Sequence, residues 1–351
     1  MNFDLIQRHT VELYDLTHKE YEELEVPART LLVAQRFDLF AKLYYIKNRK
    51  TSRKEALEVY NNHIKAFNPD LKEPGRDDKN GYDDFVVSFD TIIEDIEQNG
   101  FDSNKSIVPV DENGVILDGA HRVSILAYLD KTVSIVRFKD VVSKGRFDYD
   151  YFLKRGLSWK IADIIALEMV QWRPNMLIAC LWPKMGGPEA KKETLSIING
   201  RYPLCYTKTI NTNMESFVRF IAKVYEAQPW VGSEANGYEG ARNKALYCFA
   251  SNKQISFALF EADNIEEIIA FKDEIRQRFQ SEKHSIHITD NVEETKEIAA
   301  IVFDSDELNS WNQLKGGFVQ HLREVIAEKV YYFKHVTLIN FKVAVAKMLR
   351  H

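Results

Sequence analysis

An α/β architecture with more than one body is what this sequence predicts, on three observations. The chain has 351 residues, which suits two or three bodies at ~150 residues each. Hydrophobic residues make up 45% and charged residues 28%, the balance of a chain that buries a core, so disordered and fibrous classes are excluded. Two stretches, about 85–138 and 202–303, alternate short β-rich runs with longer runs of helical spacing. The expected partition is an N-terminal helical region over 1–84, an α/β module over 85–147, a helical connector over 148–200, a second α/β domain over 201–317 and a basic amphipathic tail over 318–351.

The elements follow in order. "RTLLVAQRFDLFAKLYYIKNRKTSRKEALEVYNNHIKAF" (29–67) carries apolar residues at helical spacing and reads as two helices, with Thr51 or Ser52 available to cap the second. Pro, Gly, Asp and Lys crowd "NPDLKEPGRDDKNGYDD" (68–84), which reads as an exposed connection. "FVVSFDTIIEDIEQNG" predicts a helix closed by Gly100. "SIVPVDENGVILDG" predicts two short strands joined at Glu112-Asn113-Gly114, "AHRVSILAYLD" a helix and "TVSIVRF" a strand. Residues 148–200 read as helical, broken at Pro174, Pro183 and "MGGPEA". The second alternation runs "YPLCYTKTI" (strand), "NMESFVRFIAKVYEA" and "GARNKALYCFA" (helices), "QISFALFEA" (strand), "NIEEIIAFKDEIRQRF" (helix), "SIHITD" (strand) and "NVEETKEIAAIVF" (helix). No internal repeat or low-complexity segment occurs.

A net charge of −5 argues against a protein that coats nucleic acid. "MNFDLIQRHT" has no apolar core of signal-peptide length, and no run approaches the ~18 apolar residues of a membrane span. Cys180, Cys205 and Cys248 stand far apart in apolar surroundings, as buried free thiols of a reducing compartment do. The expected location is cytoplasmic. The tail from Phe318 has six Lys/Arg against two Glu between aromatic and aliphatic residues, a composition that suits either packing on the second domain or peripheral contact with an anionic inner membrane.

The chemistry concentrates in "ILDGAHRVSI". A glycine before a helix lets backbone approach a ligand, and the free N–H groups of the first turn with the positive dipole end favour phosphate. His121 and Arg122 fall in that turn, adding a titratable donor and a charged fork. Asp118 sits where a carboxylate can hold a metal ion, orient an arginine, accept a proton or simply cap the helix. Elsewhere, Arg36, Asp38 and Lys42 share two helical turns, either as a surface salt bridge or as contacts for a substrate anion. His284, His287 and Asp290 recur at intervals of three. On a strand the two histidines face opposite ways, which disfavours zinc and leaves His287 and Asp290 as candidate ligand contacts at a strand's carboxyl end. Gly237, Gly240, Arg242 and Lys244 open a predicted helix, but their glycine spacing fits no standard phosphate loop.

The helix closed at Gly100, the strand pair and the Asp118-Gly119-Ala120-His121-Arg122 turn together resemble the ParB/sulfiredoxin-like superfamily over about residues 85–140. The D-G-x-H-R form is nearest its free-serine kinase branch. Ala120 stands where sulfiredoxins carry cysteine, which removes that chemistry. The resemblance implies nucleotide phosphates, from ATP or ADP, on Gly119, His121 and Arg122, with Mg²⁺ near Asp118. It implies a catalytic set of Asp118, His121 and an upstream glutamate base, for which Glu94, beside Asp95, is the candidate. The whole chain also resembles proteins of bacterial capsule and lipopolysaccharide gene clusters. The expected function is therefore a phosphotransferase acting on a hydroxyl of a small metabolite or sugar, with Arg36, Lys42, His287 and Asp290 as substrate contacts. Two alternatives stay open: a nucleotidyl- or glycosyltransferase working in the C-terminal domain, and a ParB-like nucleotide-gated binding protein. The oligomeric state is not legible.

Overall fold

The computed structural model describes residues 2–73, 76–279, 282–304 and 306. The basic tail from Phe318 lies outside the described residues. The chain divides into two compact units, Met1–Pro174 and Asn175–His351. Both mix helices with a sheet, the α/β class the sequence predicts.

In the first unit α1 (Arg8–Tyr14) precedes β1 (Tyr21–Pro27), and α2 (Phe37–Asn48) and α3 (Arg53–Phe67) follow. A short pair, β2 (Lys72–Glu73) and β3 (Arg76–Asn80), leads to α4 (Tyr82–Asn99), β4 (Val108–Val110), α5 (Ala120–Tyr128) and β5 (Thr132–Phe138). Helices α6 (Tyr149–Lys154) and α7 (Trp159–Trp172) complete it. The sheet order is β1-β5-β4, with β4 parallel to β5 and β1 antiparallel to β5. A parallel pair needs a crossover, and α5 supplies it. Its first turn therefore stands beyond the carboxyl end of β4, where sheets of this kind leave room for ligands. Helix α2 packs on α3, α5 and α7, and α4 packs on α5. Tyr45, Tyr60 and Phe89 tie α2, α3 and α4 together, with ring centroids 4.9–5.3 Å apart.

Several expectations need correction here. The first predicted helix starts later, because Phe37 N–H donates to the Phe147 carbonyl (2.9 Å) and Arg36 bridges Phe147, holding the preceding residues out of helix. Strand β1 was not predicted. It is an edge strand whose residues are mostly exposed, with Glu at 22, 23 and 25, so it shows no apolar alternation. The 68–84 segment is more than an exposed connection: it contains the β2–β3 pair, and Lys79 is buried. The second predicted strand of the "VPVDENGVIL" pair reduces to one bridge, Val110 to Ile116. Gly114 turns at φ +79°, and the Asp111 carboxylate accepts the N–H groups of Asn113, Val115 and Ser143.

The second unit contains β6 (Met176–Leu181), α8 (Pro188–Arg201), β7 (Leu204–Asn211), α9 (Met214–Val224) and α10 (Glu239–Cys248). It continues with β8 (Gln254–Glu261), α11 (Ile265–Arg278), β9 (Ile286–Ile288) and α12 (Val292–Val302). Its sheet runs β7-β8-β6-β9 with every pairing antiparallel. The expected 148–200 connector is thus overturned: it splits at Pro174, and β6 is a central strand. All six β6 residues, MLIACL, are buried, and so short an apolar run cannot be told from helix by periodicity. Leu177, Ala179 and Leu181 pack with Ala258, Phe260, Ile268, Phe271, Ile286 and Ile288 in one core. All three cysteines are buried thiols outside any disulfide, and burial pushes the Cys248 thiol up to about 12. No helix among the described residues is long and apolar enough to cross a membrane.

Candidate functional site

The Asp118–Arg122 turn opens onto a cavity of about 650 Å³ in the first unit. Gly119 takes a left-handed conformation (φ +90°, ψ 22°) as the residue before α5, which glycine adopts without the steric cost other residues meet. A Cβ there would lie 3.1 Å from the Val108 side chain, so the backbone runs close against β4. Asp118 does not cap α5. Its Oδ1 accepts the Gly119 N–H (2.6 Å), and its Oδ2 pairs with the Arg122 guanidinium at 3.4 Å, in a partly buried ion pair. The carboxylate thus aims the arginine across its own turn. Gly119, Ala120, His121 and Arg122 all border the cavity.

A second group of charges borders the same cavity. Arg36, Asp38 and Lys42 are almost wholly buried, which corrects the reading of Asp38 and Lys42 as a surface pair. The Asp38 carboxylate accepts from Arg36 Nε (2.8 Å), a second Arg36 nitrogen (3.0 Å) and Lys42 Nζ (2.9 Å). Burial alone would raise the Asp38 pKa, but Arg36 and Lys42 outweigh it and hold the carboxyl below the usual range. Arg36 also donates to the Ile116 carbonyl at 2.6 Å and lies 5.2 Å from the Phe147 ring centre. That bond ties α2 to the segment entering the Asp118 turn.

Two histidines neighbour Tyr60, each with its ring centroid 6.1 Å from the tyrosine ring. His121 keeps a small opening to the cavity, but its ring is enclosed, 4.4 Å from Phe89, and its Nε2 is 2.9 Å from the Tyr60 hydroxyl. Burial, then Lys42 and Lys79, push its pKa well below the ordinary value. His121 is therefore a neutral donor–acceptor near pH 7 and adds no positive charge for a phosphate. His63 is buried and likewise kept neutral, by burial first and by Lys42. Neither ring nitrogen of His63 makes a hydrogen bond of normal geometry.

The remaining predicted residues fall elsewhere. Glu94 is exposed on α4 and does not line the cavity, whereas Asp95, one position on, does; a helix turns ~100° per residue, and the cavity-lining positions of α4 run 85, 88, 92, 95, 96. His287 and Asp290 belong to the second unit. His287 Nε2 is 3.0 Å from Glu294, its Nδ1 is 3.3 Å from the Tyr225 hydroxyl, and its ring stacks on Trp182. Asp290 accepts from Lys272 at 2.8 Å. His284 lies in the turn before β9, stacked on Tyr247. Gly240 serves packing, since a Cβ there would lie 1.6 Å from the Trp230 carbonyl oxygen; Arg242 forks onto Glu215 (2.7 and 3.0 Å). Sequence reasoning missed His63, Lys79, Ser106 and Phe147 as cavity residues, because each comes from a different segment and none carries a motif.

Among the described residues no three His, Cys, Asp or Glu side chains are grouped to hold a metal ion. Asp118 already faces a backbone N–H and a guanidinium, so the residues present fit a protein-held Mg²⁺ poorly. No family model, no curated protein and no solved structure matches the chain.

Proposed function

We propose that the first unit binds the phosphates of ATP or ADP at the start of α5 and that the protein transfers a phosphoryl group to a hydroxyl of a small metabolite or sugar. One observation carries this reading: a single cavity is bordered by a glycine-opened helix start, an arginine aimed from its first turn, and the buried Arg36–Asp38–Lys42 group. Phosphoryl transfer demands positioning and charge neutralisation more than covalent work by the protein. The free N–H groups of α5 and the Arg122 fork supply both for the transferring phosphate. Asp118 is a positioning residue that orients Arg122. His121, neutral and held by Tyr60, offers a hydrogen bond to the ligand rather than charge. Arg36 and Lys42 are clamped on Asp38, so they present a fixed field rather than mobile donors. The likeness to capsule and lipopolysaccharide cluster proteins favours a sugar acceptor and a bacterial cytoplasmic setting.

Calorimetry with ATP, ADP and CTP tests the reading. Arg122→Ala should lower affinity for the bound nucleotide by about 1.5–3 kcal/mol, roughly 10- to 150-fold, the worth of a charge-assisted hydrogen bond. Its melting temperature should barely change, because the ion pair it loses is partly exposed. Unchanged affinity in a folded Arg122→Ala protein removes the assignment. Incubation with γ-labelled ATP and a pool of hydroxyl-bearing metabolites then reads the transfer itself.

A further inference from the structure

We propose that His63 is a specificity-determining residue of the acceptor subsite, where its imidazole hydrogen-bonds a hydroxyl of an uncharged, polyhydroxylated acceptor. The inference rests on the phosphotransferase reading above and names the class of its second substrate. His63 is only 1% exposed, lines the cavity, and makes no hydrogen bond of normal geometry at either ring nitrogen, its backbone neighbour of that kind at Tyr60 being poorly aligned. A buried polar group left unpaired is costly, so a residue kept in that state by the fold is ready for a partner the free protein lacks. Ser106 repeats the pattern: its hydroxyl oxygen is buried, unpartnered, and on the wall of the same cavity.

The chemistry of the partner follows from the surroundings. Burial first, and then Lys42 and Arg36, the nearby cations that Asp38 engages, hold the imidazole neutral. A neutral imidazole presents one N–H and one bare nitrogen. An anion could use only the first and would set its charge against the second. A hydroxyl can both donate and accept, so it pairs with either ring nitrogen, the N–H or the bare one, with no charge set against it. Phe67 and Phe147, with ring centroids 4.9 Å apart, also line the cavity and are each partly open. Aromatic walls beside a donor–acceptor pair suit a sugar ring, which is apolar on its C–H faces and hydrogen-bonding at its edge.

Full-length wild type, His63→Leu and His63→Asn would be titrated with D-glucose, D-ribose, glycerol, inorganic phosphate and ATP, and melted without ligand. His63→Leu removes the unpaired nitrogens while keeping apolar contact with Phe67 and Phe152, so it should melt at or above wild type. It should bind the sugar that wild type binds about tenfold more weakly. His63→Asn, which keeps a donor and an acceptor, should recover part of that loss, and ATP affinity should be unchanged in both variants. Equal sugar affinity in wild type and His63→Leu overturns the inference, as does a wild type that binds none of the three polyols at concentrations far above millimolar. Neither result touches the nucleotide assignment, which stands or falls on the ATP titration of Arg122→Ala. Phosphate affinity that depends on His63 would also overturn it, by making the subsite anionic. Sugar binding that depends on His63 in a protein that binds no nucleotide would uphold the contact and remove the phosphotransferase reading.

Discussion

Replacing Asp38 by asparagine should expose how much the first unit depends on one buried carboxylate. The side chain is 1% exposed and accepts three charge-assisted hydrogen bonds, two from Arg36 and one from Lys42. Asparagine keeps an acceptor at the Oδ1 position, so the Arg36 Nε bond survives, but it turns an amide N–H₂ toward the other two donors. Losing two such bonds at about 1.5–3 kcal/mol each gives about 3–6 kcal/mol, in line with the ~3–5 kcal/mol typical of breaking a buried ion pair. At ~2–4 °C per kcal/mol for a unit of this size, a melting shift of at least ~6 °C is expected. The pH dependence adds a second check. The folded-state pKa of Asp38 is depressed, so its contribution is intact above the unfolded aspartate value of ~3.9 and drains away as pH falls below it. The gap between wild type and Asp38→Asn should therefore be constant from pH 7 to about 5 and narrow below ~4. Hydrogen exchange of α2 peptides through a urea series, at several pH values, isolates the first unit from the second. A gap below ~1 kcal/mol at pH 7, or one that does not narrow in acid, would refute the account of the triad as a buried, ionised unit.

Two further substitutions separate packing from ligand binding. Gly119→Ala places a Cβ in left-handed backbone and 3.1 Å from Val108, and should cost about 1–2 kcal/mol while weakening ATP binding; calorimetry beside a thermal melt reads both, and full ATP affinity would show that close backbone approach is not used. Gly240→Ala forces a Cβ to 1.6 Å from the Trp230 carbonyl oxygen and should destabilise the second unit by more than ~4 kcal/mol while ATP affinity stays at the wild-type value; a normal melt would mean the Pro229–Val231 turn moves aside freely.

The elements with a clean period were legible in the sequence. Helix α4 with its Gly100 stop, β5 from Thr132 to Phe138, and α12 with its Asn291 cap fall where the pattern puts them. Strand β1 escaped because an edge strand with glutamates at 22, 23 and 25 has no buried alternation to read, and β6 escaped because both faces are covered. At the site, the Gly119–Arg122 turn was visible because its residues are contiguous. His63 and Lys79 were not, since nothing local distinguishes a cavity-lining residue from any other position on an amphipathic helix or a polar hairpin. Glu94 shows the limit of motif transfer: one residue of error on a helix moves a side chain from the cavity to its outer side.

Every described residue bordering the cavity precedes Pro174, where the chain passes from the first unit to the second. Because N-terminal domains tend to fold during synthesis, the cavity is fully encoded while the second unit is still being translated. A ligand present in the cell can then bind the nascent chain and stabilise the first unit before the remaining half has left the ribosome. The same passage lets recombination at one point exchange everything downstream without dividing the site, so the cavity can be inherited as a cassette.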